Sequence, residues 1–200
     1  MSYLKTLNTL YVHIISHNLS LSLFSSGFGL LNKATLYWDK EEAAVWPRDT
    51  SWFELITPED ESSGLWTTFY NAKAKGVPCL IGWIGGDEAV AMESQSDEEI
   101  LEQVMINLRS MWPTITQPDN VFISRWGQEE NVLGSYSFNK VGRTFSEDAT
   151  NLREPIGNKV WFAGEATNTD EWHATSVGAW DSGEQVGQDM VSTLKRRRFI

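Results

Sequence analysis

Residues 161–167 of the chain read Trp161-Phe162-Ala163-Gly164-Glu165-Ala166-Thr167, a stretch that indicates the end of a strand. Residues 159–163 are predicted to form a strand that ends at Gly164 and Glu165. Ligands of open α/β sheets bind beyond the carboxyl ends of strands, where a glycine lets a ligand approach the backbone. A carboxylate at the next position accepts hydrogen bonds from sugar-like hydroxyls. The stretch therefore predicts a ligand at this strand end; a surface carboxylate at a turn is the alternative.

A long helix is predicted to follow this turn, over residues 176–197. Ala179, Gly183 and Gly187 fall on one of its faces at four-residue spacing. A helix face made of such small residues, called the smooth face below, can pack closely against a flat surface, either a sheet or a cofactor. Thr175 stands at the N-cap position, and the first helical amides lack intrahelical partners and carry positive partial charge. The strand and this helix together predict part of an α/β layer.

Strands and helices are also mixed upstream, so the predicted class is α/β with an α+β mixture. The clearest helix follows Ser96, which forms a capping box with Glu99, and Pro113 ends it. A shorter helix is predicted over 87–93. The predicted strands are 32–38, 52–57, 65–70, 79–84 and 121–126.

The composition is that of a globular protein with a strongly acidic charge. Of the 200 residues, 41% are hydrophobic and 22% are charged, and the formal net charge is −11. This balance argues against direct nucleic-acid binding, which needs a basic surface. No apolar run is long enough to span a bilayer, and Cys79 is the only cysteine, so no disulfide can form within the chain. We expect a soluble, cytoplasmic protein without a membrane partner.

Residues 1–26 differ in character from the rest of the chain. Their apolar residues are interrupted by polar ones, whereas a signal peptide has a cleaner apolar stretch and a cleavage site. Residues 19–25 can be encoded wholly by pyrimidines, as the end of an intron is, so one hypothesis is that the segment is a gene-model artefact. His13 and His17 lie one helical turn apart without a third ligand at useful spacing, and no metal site is predicted.

Five stretches of the chain, in their order, resemble flavin-containing amine oxidases of the polyamine oxidase and lysine-specific histone demethylase type. Each stretch alone is weakly specific, whereas five in the right order and at plausible spacing are strongly specific. The resemblance covers residues 27 to about 192 and corresponds to the C-terminal part of the family's length. The stretches are Gly27-Phe28-Gly29-Leu30-Leu31-Asn32-Lys33, Ser124-Arg125-Trp126, Gly134-Ser135-Tyr136-Ser137-Phe138, the stretch at 161–167, and Ala174-Thr175-Ser176-Val177-Gly178-Ala179-Trp180-Asp181-Ser182-Gly183.

The resemblance implies a partial amine-oxidase fold. Residues 27–150 are expected to form part of a substrate-binding domain with a mixed sheet, and residues 1–26 lie outside the family. Residues 151–200 are expected to supply the last strand and helix of a Rossmann-like FAD-binding domain. The family holds the FAD pyrophosphate at a GxGxxG turn, a motif that this sequence does not contain. The 200-residue chain by itself is therefore expected not to hold FAD.

The resemblance also implies roles for residues that face the flavin and the substrate. Lys33 matches a catalytic lysine that holds a water near flavin N5, where desolvation favours the neutral amine, which handles protons or assists flavin reoxidation. Trp126 matches a cofactor-binding tryptophan that lies against the flavin. Tyr136 matches an aromatic position that frames the amine substrate. The alternatives are a solvated strand lysine and two core aromatics.

Four residues nearer the C-terminus match other cofactor-binding positions. Gly164 and Glu165 are expected at the ribose or ribityl region of FAD. Thr175 and Ser176 are expected at the pyrimidine edge of the flavin, where helix amides would stabilise the anionic reduced ring. Val177 stands where the family has a histidine, so the sequence departs from the family pattern there.

The activity implied by the resemblance is FAD-dependent oxidation of a C–N bond in a polyamine or similar amine, with O2 consumed and H2O2 formed. The expected partners are a small-molecule amine and O2, and an acidic chain favours polycationic substrates. Two alternatives are also compatible with the sequence. One is a catalytically inactive, truncated fragment, and the other is a protein like the lysine-specific demethylases.

Overall fold

The structure, a computed structural model, describes residues 26–57, 65–142, 144–157 and 159–197. The histidine pair and most of the suspected artefact segment lie outside these residues. The chain divides into two compact units. The sheet unit comprises residues 29–135, and the C-terminal unit comprises, among the described residues, 136–197 together with 26–28.

The unit boundary differs from the predicted domain boundary. The units divide at residue 135, whereas the two domains were expected to meet at residue 150. The segment that follows residue 135 groups with the C-terminal unit because the Glu165 carboxylate accepts hydrogen bonds from Ser137. The assignment of the chain to a substrate domain and an FAD domain stays a prediction.

The described residues form seven strands, four α-helices and three short 3₁₀ helices. The strands are β1 Gly27–Gly29, β2 Leu31–Tyr37, β3 Trp52–Glu54, β4 Thr68–Asn71, β5 Cys79–Gly85, β6 Asn120–Ile123 and β7 Tyr136–Phe138. The helices are α1 Gly86–Met92, α2 Asp97–Met111, α3 Phe145–Arg153 and α4 Ser176–Arg197. The five strands predicted between residues 32 and 126 and the three predicted helices are confirmed, with shifted ends.

The strand predicted over 159–163 is wrong. The structure shows there only an isolated bridge between Ile156 and Val160, and residues 161–163 have no regular structure. A strand needs a neighbour that completes its ladder of backbone hydrogen bonds. No described strand runs alongside this segment, which explains why its apolar pattern does not become a strand.

Five strands of the sheet unit form one sheet in the order β3-β4-β5-β2-β6. Its four pairings are all antiparallel, whereas a mixed sheet was expected. For β4 and β5 the physical reason is the short connection through the 3₁₀ turn Ala72–Lys75, because a parallel neighbour needs a crossover of about a dozen residues or more.

Strand alternation gives this sheet a core face and an outer face. In β2 the residues Asn32, Ala34 and Leu36 are buried, and the residues between them, Lys33 included, are half-buried on the other face. Helix α2 closes the core through Ile100, Val104, Met105 and Leu108. The predicted capping box fixes the start of α2, since Glu99 N donates to Ser96 Oγ at 3.2 Å and Ser96 N donates to Glu99 Oε2 at 2.8 Å.

The C-terminal unit consists of a small two-stranded sheet, β1 with β7, and the helices α3 and α4. The smooth face expected on α4 is not packed against a described element, because a Cβ added at Gly183 or Gly187 would meet no described atom within 4 Å. Its contact with a cofactor stays a prediction. Among the described residues no helix is both long and apolar enough to cross a membrane.

Candidate functional site

The backbone turns sharply at Gly164. Its φ of 144° and ψ of 168° are accessible to glycine and strained for other residues. Gly164 N donates to the Oγ of buried Ser182 on α4 at 2.9 Å, which holds the turn against the helix. A Cβ at Gly164 would meet no described atom within 4 Å. The space beside the Gly164 Cα atom is therefore free of described atoms. The turn therefore has the room that a ligand needs to reach the backbone.

The Glu165 carboxylate joins three segments of the C-terminal unit. Its Oε1 accepts from Ser137 N at 2.9 Å, and its Oε2 accepts from Ser137 Oγ at 2.6 Å and from Ala174 N at 2.7 Å. A carboxylate offers about four lone-pair positions, so one acceptor position remains on Oε1. Glu165 thus anchors the neighbouring segments and keeps limited capacity for a ligand hydroxyl.

Helix α4 begins directly after the segment that Glu165 anchors. Thr175 caps the helix as predicted: its Oγ1 accepts from Gly178 N at 3.0 Å and donates to the carbonyl of Trp172 at 2.6 Å. Ala174 has a φ of 58°, a left-handed conformation that is uncommon for alanine. Ser176 opens the helix and is exposed. The contact between Glu165 and Ala174 therefore sets where the N-terminus of α4 starts.

The predicted site residues fall into two sets. The C-terminal unit holds Tyr136, which is half-buried on β7, together with Gly164, Glu165, Thr175 and Ser176. The sheet unit holds Lys33 and Trp126. Within each unit the structure brings the residues of a set onto connected segments.

Lys33 lies on the outer face of the sheet. Its side chain is half-buried, and its Nζ lies 4.5 Å from the centroid of the Trp83 ring. This distance is that of a cation–π contact, which attracts a charged amine. The neutral form expected from the sequence stays a prediction. Sequence reasoning missed Trp83, although its cross-strand position opposite Lys33 follows once β2 and β5 are paired.

Trp126 is an exposed residue that is held by its backbone. Trp126 as a whole residue is 41% exposed, and its backbone N–H donates to Asn32 Oδ1 at 3.0 Å. Asn32 is completely buried and donates from Nδ2 to Glu93 Oε1 at 2.9 Å. The same Glu93 oxygen accepts from the N–H of Gly127 at 2.8 Å. Asn32 and Glu93 therefore fix the loop that presents Trp126, on a surface suited to stacking against a flat ligand.

Two signals for these supporting residues are visible in the sequence only in hindsight. Asn32 is a polar residue on the strand face that also carries Ala34 and Leu36, and Ser137 is a polar residue at a buried position of β7. Buried polar groups of this kind need partners. Glu93 carried no such signal, because a carboxylate just after a helix is ordinarily solvated.

Known proteins match this chain over most of its length. The family of flavin containing amine oxidoreductases matches residues 17–191. The chain belongs to this family. The matched region begins at residue 17, earlier than residue 27, where the five-stretch resemblance starts. As the name of the family states, its members are amine oxidoreductases that contain a flavin.

Curated relatives support the same assignment. The chain is 33% identical over 175 residues to "Polyamine oxidase 4" of Oryza sativa subsp. japonica, a match that covers 87% of this chain and 34% of the relative. It is 32% identical over 177 residues to "Lysine-specific histone demethylase 1 homolog 1" of Arabidopsis thaliana, covering 86% of this chain and 20% of the relative. The chain thus spans about a third of the first amine oxidoreductase and about a fifth of the second.

Solved structures show the fold. Putrescine oxidase, as the wild type bound to putrescine, superposes with a TM-score of 0.67 and 18% identity, covering 89% of this chain and 38% of that chain. A variant of the same enzyme, A394C, gives the same TM-score over 90% of this chain. The chain therefore has a partial amine-oxidase fold of mixed α/β class.

Proposed function

We propose that this chain supplies the flavin-facing residues of an FAD-dependent oxidase that acts on a C–N bond of a polyamine or similar amine and converts O2 to H2O2. The observation that carries the proposal is the turn at Gly164 and Glu165, which has free space at the glycine and is anchored to the start of α4. The relatives named polyamine oxidase and the net charge of −11, which suits a polycationic substrate, support it.

The residues of this chain fit an FAD. Gly164 gives backbone access, Glu165 keeps an acceptor position for a ribose or ribityl hydroxyl, and the amide end of α4 at Thr175 and Ser176 suits the electron-rich edge of the flavin. Trp126, a residue that is 41% exposed, is proposed to stack against the flavin. The chemistry that FAD supplies when bound is hydride acceptance from the carbon next to nitrogen, followed by reoxidation with O2.

Lys33 and Tyr136 are proposed to act on the substrate side. The amine of Lys33 orients a water and moves a proton during oxidation or reoxidation, which is general acid–base work. The ring of Tyr136 frames the amine, since aromatic faces attract cations. Neither role changes how tightly the cofactor is held, so each is separable from flavin binding by experiment.

The test uses the product of the longest transcript that contains this chain. Spermidine, putrescine and a dimethyl-lysine peptide are supplied in turn, and H2O2 formation is followed together with the visible flavin spectrum. We expect H2O2 from the polyamine, and we expect Lys33→Met to keep the bound flavin while slowing turnover by about a hundredfold or more. Lys40→Met, which removes an exposed lysine of the same unit, is the matched control and should leave turnover unchanged.

Each other outcome has a defined meaning. A clear preference for the dimethyl-lysine peptide would favour the second candidate, a demethylase-like activity, which the histone demethylase relatives support. Normal turnover in Lys33→Met with flavin bound would remove Lys33 from the mechanism. Bound flavin without H2O2 from any amine would favour an inactive protein.

A separate measurement concerns the 200 residues alone. Because the sequence has no GxGxxG turn for the pyrophosphate, the isolated chain is expected to lose FAD on gel filtration. A stoichiometric flavin band that stays with the purified chain would show that the residues present suffice for cofactor binding.

A further inference from the structure

Lys33 faces one particular ring across the sheet. In the register of β2 and β5, Lys33 lies directly opposite Trp83, and directly opposed side chains share one face of a sheet. The Nζ atom lies 4.5 Å from the centroid of the Trp83 ring, well inside the range of about 6 Å in which a cation–π contact forms. The lysine stem therefore runs across the strand pair and ends over an indole.

The Trp83 ring is held by other rings. Trp52 meets it edge to face at 5.3 Å between centroids, and Tyr70 meets Trp52 in the same way at 5.0 Å. These three residues lie on the outer faces of β3, β4 and β5, which are neighbours in the sheet. The indole N–H of Trp83 is buried and has no acceptor among the described residues, so ring packing, and not a hydrogen bond, sets the orientation of the ring.

A lysine without such a contact would be mobile. Its amine sits on a flexible four-carbon stem that carries much rotamer freedom, and an exposed strand lysine spreads its amine over a wide volume. Lys33 Nζ lies over the Trp83 ring, and an attraction of this kind restricts the volume that the amine occupies on the outer face of the sheet. An amine that reacts at a single site must be placed accurately, because a misplaced reacting group slows the reaction. A restricted position of the Lys33 amine would therefore favour the reaction.

We infer that Trp83 is a positioning residue for Lys33: its ring, packed against Trp52, which in turn packs against Tyr70, fixes the place of the lysine amine. The functional meaning of this inference rests on the proposed function, in which Lys33 serves proton transfer. The placement itself does not, because it is a property of the sheet unit that is measurable without flavin or substrate.

The experiment measures the amine directly in the full 200-residue chain. The lysines are converted to ¹³C-dimethyl-lysine, which keeps the positive charge, and the methyl signals are recorded by NMR. Lys33→Arg identifies the Lys33 signal by removing it. We expect this signal to be shifted upfield by the ring current of Trp83 and its methyl protons to show NOEs to the indole protons.

The variants separate positioning from general damage to the fold. Trp83→Leu should abolish the upfield shift, and Trp83→Phe, which keeps a ring, should retain part of it. Phe122→Leu is the matched control, because Phe122 is an exposed aromatic on the edge strand of the same sheet and should leave the Lys33 signal in place. Far-UV circular dichroism confirms that each variant is folded.

Two results would overturn the inference. One is an unchanged Lys33 shift in a folded Trp83→Leu variant. The other needs no variant, so it holds even where a substitution prevents folding: the absence of both the upfield shift and the NOEs in the unsubstituted chain. A failure of the proposed function would look different, as a lack of amine-dependent H2O2 with the ring-current shift intact.

Discussion

Replacing Asn32 by alanine should strongly destabilise the sheet unit. The Asn32 side chain is completely buried, and it accepts from Trp126 N at 3.0 Å, accepts from Ser124 Oγ at 3.3 Å, and donates to Glu93 Oε1 at 2.9 Å. Each hydrogen bond has a net value of about 1 kcal/mol, so the loss of three lowers the free energy of unfolding by about 3 kcal/mol. Partner groups that stay buried without a hydrogen bond after the substitution increase this loss of stability.

The measurement is urea unfolding followed by tryptophan fluorescence and far-UV circular dichroism. Asn120→Ala is the matched control, since Asn120 is an exposed asparagine at the start of β6, and its free energy of unfolding should change by less than about 0.5 kcal/mol. Asn32→Asp keeps the two acceptor contacts but sets a second carboxylate against Glu93, so it should also be destabilised near neutral pH. A loss below about 1 kcal/mol in Asn32→Ala would refute the idea that this side chain holds the loop of Trp126 in place.

Three further changes test other parts of the structure. Gly178→Ala should destabilise the chain by about 2 kcal/mol or more, because the added Cβ would lie 2.0 Å from the carbonyl oxygen of Trp172. In the control Gly183→Ala, on the same helix, the added Cβ meets no described atom within 4 Å, so this variant should be more stable by up to about 1 kcal/mol. Thermal melts of the two variants test the difference. Burial raises the pKa of the Cys79 thiol to about 11, so the thiol is protonated at pH 8. It should therefore react with a thiol reagent at least about tenfold more slowly in the folded chain than in urea. Equal reaction rates in the two conditions would contradict the burial of Cys79. Ser96→Ala should remove the N-cap of α2, lower the free energy of unfolding by about 1 kcal/mol and lower the melting temperature by about 2–4 °C. An unchanged melting curve would show that the capping box does not contribute to stability.

Local rules predicted most of the regular elements correctly. The start of α2 depends on Ser96 and Glu99, which are three residues apart, and the N-cap of α4 depends on Thr175 and the amide three residues on. Such contacts close within one helical turn, so neighbouring residues suffice to specify them. The alternation in β2 likewise places Lys33 and Asn32 on opposite faces without knowledge of the partner strands.

The elements that failed depend on distant partners. The apolar pattern of 159–163 is compatible with a strand, yet no described strand completes its ladder, and the pattern yields only the bridge at Ile156 and Val160. The antiparallel direction of the five-stranded sheet likewise follows from how its strands meet in space.

The candidate site shows the same division between local pattern and tertiary contact. The sequence alone placed Gly164, Glu165 and the start of α4 near one another, because they are close in the chain, and it predicted a ligand-binding turn there. Only the tertiary structure showed that the Glu165 carboxylate is largely occupied by Ser137 and Ala174. Ser137 lies 28 residues from Glu165 in the chain and Ala174 lies nine residues from it, beyond the reach of a single turn, so no local pattern encodes which donor meets which acceptor.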